Sequence, residues 1–552
     1  MEFGSGYANA MDRDYWGPVA EAHGDGSTTS GSKSAADLGI SAADIGMSLG
    51  LGPVPNVPAI LAKLRTGAKT IELGFMGMGK GSGQGHTAGM YGKKQRQALR
   101  EAAEANRMDF TTHASVGVFG LAGQDRQGNF SREAKQASVH EIQRAIEFAA
   151  DVSRGGPVVV HTGEFQRPIS EAKWNQVDND GNRQFQSYEE EDKRASYRVV
   201  DTRTGKLIAE AMKGRAVSRP EWNQYNKKND RYGENKGKSY VDDNGKTVTE
   251  DDYIDYWGNK IEQRDRVPRF DKDKGEFAIR QLGWDDLKDE AKEFSEDAKR
   301  FWHKNKHLTG EAKKEKWKGS KWWKFRDVVS EKEIEVQPEE AYILSTLETN
   351  AGNSRGWALQ YARDFDNEIK TVAKMRKALK IYQQIEETTD EEEKWRLKKQ
   401  IPLDQSGLIP PDSKFPSQIL ERELRMRERG IQQSREASAN QWASAKETEE
   451  TMKHVESAES YALREAYGSY AEAGVYAVKM NEQLEKQGLK KRDIFIGMEN
   501  LFPESYGAHP DEIIDIIGKS RKIMAQKLQQ QLKYSEDKAR KVAEDSLKIT
   551  FD

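Results

Sequence analysis

The chain has 552 residues, 36% of them apolar and 32% charged, and its 88 Lys+Arg against 91 Asp+Glu leave a net charge of -3. Typical soluble domains are about 45–50% apolar with Gly counted and about 25% charged, so the composition predicts a compact part carrying long, solvated, charge-rich parts. The balanced charge gives no global basic field to draw the chain onto nucleic acid or membrane, and the lack of Cys excludes disulfides, Cys nucleophiles, thiolate metal sites and iron–sulfur clusters.

Residues 1–36 include HGDGSTTSGSKS, a Gly/Ser-rich run predicted as a flexible tail. The opening MEFGSGYANAMDRDYWG lacks the basic-then-apolar order of a secretory signal. No apolar run approaches the roughly 18 residues of a spanning helix. The expectation is a cytoplasmic chain with no membrane partner.

Residues 37–165 alternate short apolar runs with helical patterns. ADIGMSLGLG (43–52), KTIELGFMG (69–77), DFTTHASV (109–116) and GPVVVHTGEF (156–165) are predicted strands. Between them VPAILAKLRTGA, KKQRQALREAAEANR and REAKQASVHEIQRAIEFAADVS are predicted helices. Strand, helix, strand with short loops is the signature of a parallel sheet with crossover helices. The run VVV, apolar without alternation, fits a strand buried on both faces.

From 166 to 340 the chain turns polar, Trp-bearing and turn-rich. YRVVDTRTGKLIAE and YVDDNGKTVTEDDY predict hairpins around their Gly-containing turns. Residues 341–490 are strongly helical and predict a long helical hairpin, split by the Pro-containing link IPLDQSGLIPPDSKFP (401–416). Eleven of the twelve Trp lie between 166 and 490, so this insertion is expected to pack a core of its own. In 491–552 the first texture returns, with KRDIFIGMEN as a fifth strand, HPDEIIDIIGKSRKIMAQKL as a helix and KITFD as a sixth strand. The fold class expected is α/β: the first six strands of a TIM-type parallel β/α barrel, with a large, mainly helical insertion after strand four. A sheet ending on its sixth strand predicts that a second polypeptide or a missing C-terminal segment completes the barrel.

Active-site groups of such barrels stand at the carboxyl ends of the strands. Strand three offers His113, strand four His161 and Glu164, strand five Glu499 and Asn500, and strand six Asp552. Neutral imidazole with carboxylate is a ligand set for zinc or manganese.

Around these residues the sequence resembles a known group. THASV, with GLAGQDRQGNFSREAKQASVHEIQRAIEFAADVSRGGPVVVHTGEF, resembles the third-to-fourth strand unit of the endonuclease IV group in the xylose-isomerase-like TIM-barrel superfamily. FIGMEN resembles that group's fifth strand and KITFD its sixth. The resemblance covers residues 40–165 and 490–552, with HTG where the group has His-Pro-Gly. It implies that His113, His161 and Glu499 hold one divalent metal, zinc before manganese. It also implies that Glu499 acts at the catalytic centre and bridges to a second metal shared with Asp552. The function implied is a divalent-metal-dependent phosphodiesterase acting on DNA, abasic sites included. A sugar isomerase or epimerase of the same superfamily, or a non-catalytic scaffold binding partners through the insertion, are the competing expectations.

Other features bear on substrate. GFMGMGKGSGQG (74–85) approaches the phosphate loop GxxxxGK[ST] but ends on Gly81; it reads better as a loop over the barrel mouth, with Lys80 placed to meet a substrate phosphate. Glu348 also follows an apolar run, but only Glu499 is followed by a helix and strand at βαβ spacing. In 299–326, Lys304, Lys306, Lys318, Lys321, Lys324 and Arg326 are interleaved with Trp317, Trp322 and Trp323. Such a pattern suits a nucleic acid, cations tracking phosphates and rings stacking bases. The competing expectation is a solvated helix whose Trp side chains dock on the insertion's own core.

Overall fold

The computed structural model describes residues 46–49, 69–77 and 87–551, apart from 126, 180, 182, 227–237, 263–264, 272, 402–408 and 410–412. The strands that build and support the site are, in chain order, β1 (Gly46–Leu49), β2 (Thr70–Phe75), β3 (Asp109–Ser115), β4 (Gly156–His161), β5 (Ser196–Asp201), β6 (Leu207–Met212), β7 (Val455–Ser457), β8 (Ile494–Glu499) and β9 (Leu547–Thr550). The longer helices are α1 (Lys93–Ala105), α2 (Arg132–Ser153), α3 (Trp284–Asn305), α4 (Gly310–Lys318), α5 (Pro338–Glu387), α6 (Pro416–Met452), α7 (Ala458–Lys486), α8 (Pro510–Leu532) and α9 (Glu536–Ser546).

Strands β1, β2, β3, β4, β8 and β9 lie side by side in that order in one sheet, every pair parallel. This six-stranded parallel sheet with its helices makes the chain α/β, and its strand order is compatible with a partial α/β barrel. Alternation assigns the two faces. Ile71, Leu73 and Phe75, then Phe110 and Ala114, Val158 and Val160, and Ile494, Ile496 and Met498 are all buried against the helix layer. The opposite face carries Ser48, Glu72, His113, His161 and Glu499 by the same alternation. Polar residues on this inner face therefore follow from the strand period once the other face must be apolar.

Helices α2, α7, α8 and α9 share the sheet's core through Ile142, Ile146, Tyr470, Ile513, Ile516, Met524 and Ala543. Ser131 caps α2 by accepting from the Ala134 amide at 3.0 Å, and Ser457 caps α7 by accepting from the Ser460 amide at 3.1 Å.

The insertion has a different organisation from the one the sequence suggests. Helices α5 and α6 form an antiparallel hairpin, tied by Ser417 to Glu386, Arg427 to Glu368 and Ser438 to the carbonyl of Ala358. That hairpin ends at Met452. The helical run that follows, α7, packs on the sheet as the crossover from β4 to β8. The reason lies in composition. Helix α6 is rich in Arg and Glu and buries only Leu420, Leu424, Ala445 and Met452. Helix α7 buries Tyr470 and, among others, Ala462, Ala466, Ala473, Gly474 and Ala477, small residues that admit close neighbours. The hairpin predicted at TGK is β5–β6, and the one predicted at Asn244-Gly245 joins Tyr240–Val241 to Thr247–Val248. Strand β7 adds antiparallel to β5. Among the described residues, no helix is long and apolar enough to cross a membrane.

Candidate metal centre

Strand pairing sets Glu499 directly opposite His161, and His113 opposite Val159, one inward position lower. The ring of His113 nevertheless reaches the same point. Its Nε2 stands 3.1 Å from Glu499 Oε2, and His161 Nε2 stands 3.2 Å from the same oxygen. One ligand atom from each residue lies within 4.8 Å of the others. Zinc takes nitrogen and oxygen ligands at about 2.0–2.2 Å, which puts neighbouring ligand atoms roughly 3–3.5 Å apart. The observed separations suit a shared divalent ion.

Hydrogen bonding prepares the donors. His113 Nδ1 lies 2.7 Å from the carbonyl oxygen of Ala114. A carbonyl only accepts, so this nitrogen carries the proton, and the neutral ring presents its Nε2 lone pair to Glu499. Two acceptors facing each other require a cation between them, whether a second proton or a metal. Without metal, burial opposes a charged His113, but the Glu499 hydrogen bond, the Ala114 carbonyl and the charge of Glu72 outweigh it and raise its pKa. Burial likewise opposes an ionised Glu499, yet the hydrogen bonds and charges of His113 and His161 pull its carboxyl down to about 2. Glu499 is thus an anion throughout the physiological range.

Around the donors stand Glu164, already a strand-end candidate, and Thr162, Tyr470 and Phe119, which strand-end reasoning missed. The backbone N–H of Thr162 donates to the carbonyl of Glu499 at 2.8 Å, and its hydroxyl lies 2.8 and 2.9 Å from the carbonyls of Glu499 and Gly507. A Pro at this position has no N–H to donate, so HTG ties the ends of β4 and β8 together as HPG does not. Glu164 is 1% exposed and accepts from the amides of Leu121 and Ala122 and from the hydroxyl of Tyr470. The Phe119 ring lies parallel to that of His161, at 8° and 6.3 Å between centroids.

Lys80 and Asp552 lie outside the described residues. Glu348 sits within α5, ion-paired to Lys321 at 2.5 Å and Arg266 at 3.1 Å, and no strand carries it. The stacking role expected of Trp317 and Trp322 is corrected: they are 0% and 3% exposed and belong to the insertion's core with Phe294, Phe325 and Trp302. A ring wholly inside a core has no face for a base. Trp323 is half-buried, with the Arg326 guanidinium 4.1 Å over its ring. Lys324 pairs with buried Glu340 at 2.6 Å and Arg326 with Asp327, so these cations are largely neutralised in place. Lys304, Lys306 and Lys318 are exposed. Asn500 follows Glu499 directly beyond the end of β8.

Comparison with known families, with curated proteins and with solved structures gives no match to this chain. The case for a metal centre therefore stands on the chain's own geometry.

Proposed function

We propose that the chain is a divalent-metal-dependent phosphodiesterase resembling endonuclease IV, with DNA as its substrate. One observation carries the reading: two imidazole nitrogens and a carboxylate oxygen, from the ends of three successive strands of a parallel sheet, converge within 4.8 Å. A divalent ion held there supplies a Lewis acid for a phosphoryl oxygen and acidifies a water. The chain's own residues do the rest. The Ala114 carbonyl holds His113 in the tautomer whose Nε2 is a ligand. Glu499 enters as an anion. Lys304, Lys306 and Lys318 offer exposed cations to a phosphate backbone. Asp552 at a second metal and Lys80 on the substrate phosphate belong to the same proposal.

Elemental analysis of the purified chain tests it, beside a His113→Ala/His161→Ala/Glu499→Ala variant whose folding is checked by circular dichroism. The parent is expected to carry zinc or manganese near stoichiometry, and the variant to lose it while folded. The loaded parent is then expected to cleave a duplex containing one abasic site, with a rate that falls when the metal is chelated. A parent that stays metal-free after supplementation sinks the centre. A loaded parent that leaves the duplex intact sinks the phosphodiesterase reading alone.

A further inference from the structure

The two histidines are held in different ways. His113 has its Nδ1 anchored to a backbone carbonyl. His161 Nδ1 is buried and has no hydrogen-bond partner among the described residues. Metal-binding imidazoles ordinarily have their second nitrogen hydrogen-bonded, which fixes the ring. Something else must orient His161.

That support starts three residues further on. Glu164 Oε2 accepts from the amides of Leu121 at 2.8 Å and Ala122 at 3.0 Å. Its Oε1 accepts from the hydroxyl of Tyr470 at 2.8 Å, and that hydroxyl stands 3.4 Å from the carbonyl oxygen of His161. The Gly120 amide donates to the same carbonyl at 3.3 Å. Gly120 has φ +63°, and a Cβ there would lie 2.7 Å from a Glu164 carboxylate oxygen. The loop leaving β3 is thereby locked against the end of β4, and the residue before Gly120 is Phe119, whose ring runs parallel to that of His161 with 6.3 Å between centroids.

We propose that Glu164 and Tyr470 are the positioning pair of the metal centre, standing in for an Nδ1 hydrogen bond of His161 by fixing its carbonyl and the Phe119 loop that flanks its ring. The proposal rests on the metal reading above and adds residues to it. Tyr470 belongs to α7, the first helix after the insertion, so the return path of the insertion is built into the support of a ligand.

The test uses Glu164→Ala, Glu164→Gln and Tyr470→Phe in the full chain. Zinc affinity is measured by competition with a chromogenic chelator, and the cobalt-loaded spectrum reports ligand geometry. Loss of an outer partner of a metal ligand weakens binding about 10–100-fold, which is the result expected for Glu164→Ala. Tyr470→Phe should shift affinity and spectrum the same way by less. Glu164→Gln keeps an acceptor for both amides and should restore most of the loss. A second readout needs no metal: the Cε1–H resonance of His161 in metal-free, 13C-histidine-labelled protein, assigned with His161→Gln. It should broaden or shift in Glu164→Ala and in Tyr470→Phe, with the His113 resonance less affected. A folded Glu164→Ala with the parent's zinc affinity and an unmoved His161 resonance overturns the pair. If Glu164→Ala does not fold, Tyr470→Phe decides by the same criteria. A parent without affinity for zinc or cobalt refutes the function proposed above, while the His161 resonance still decides the positioning claim.

Discussion

Glu164 keeps its proton further up the pH scale than an ordinary carboxyl group. Burial raises its pKa to about 7, and the Tyr470, Leu121 and Ala122 hydrogen bonds only moderate the effect. The consequence for stability has a definite sign. Between the ordinary value of 4.5 and about 7, the folded chain holds a proton that the unfolded chain has released, so folding weakens as pH rises through that window. At about 1.4 kcal/mol per pKa unit, the whole window is worth roughly 3 kcal/mol. Glu164→Gln has no proton to lose and escapes this dependence. Urea unfolding of parent and variant at pH 5 and pH 8, with chelator present, should show the variant gaining on the parent by about 2–3 kcal/mol over that interval. Parallel pH profiles would show that Glu164 does not titrate where its burial places it.

Among the elements, α7 shows most plainly how small residues set geometry. Gly474 faces α8 and β9 so closely that a Cβ would stand 2.5 Å from Met524 Sδ and 3.1 Å from a Leu547 methyl, whereas Gly468, in the same helix, has nothing within 4 Å. The two glycines should therefore respond with opposite signs. Gly474→Val overpacks a closed core and should destabilise by about 1–3 kcal/mol. Gly468→Ala gains helix propensity and should stabilise by up to about 1 kcal/mol. Denaturation midpoints that move the same way would discard the close-packing account. This helix also marks the limit of what the sequence reveals. The six strands were legible because apolar runs of the right length alternate with helical periods, and His113, His161 and Glu499 because strand ends are where such sheets carry chemistry. The place of α7 was not legible, since its period is as helical as that of α6 and only its partners differ. Thr162, Tyr470 and the supporting role of Glu164 were hidden for a related reason: Tyr470 meets Glu164 across 306 positions, a contact that only the folded chain brings about. The Trp residues of 299–326 misled because aromatic and basic residues interleave alike on a stacking surface and on an amphipathic helix over a core.

At the scale of the molecule, the two larger cores meet at the β6–β5–β7 sheet. Val199 and Val200, adjacent on β5, are both fully buried, the first in the insertion's Trp core and the second in the core of the parallel sheet. The β6–β5–β7 sheet thus joins the two, and α7 leaves directly from β7. The outer hairpin has a smaller cluster of its own, built from Val372, Met375, Ala378, Ile409, Leu420 and Leu424. A ligand that binds only the folded centre stabilises whatever must unfold with it, by about 2.7 kcal/mol at a hundred times its Kd. Zinc at that excess should therefore slow amide exchange by opening-limited equilibria about 100-fold in β3, β4, β8 and α7, since 1.4 kcal/mol corresponds to about tenfold. The same protection should extend through β5 to the Trp core, because opening that core exposes Val199 and strips the sheet from which α7 starts. Residues 365–385 and 416–431 of the hairpin should exchange at the same rate with and without zinc, since their cluster opens without disturbing a ligand. Hydrogen exchange read by mass spectrometry resolves these segments. Protection confined to the parallel sheet would mean that β5 does not couple the cores, and uniform protection out to the hairpin tip would mean that the whole chain unfolds as one unit.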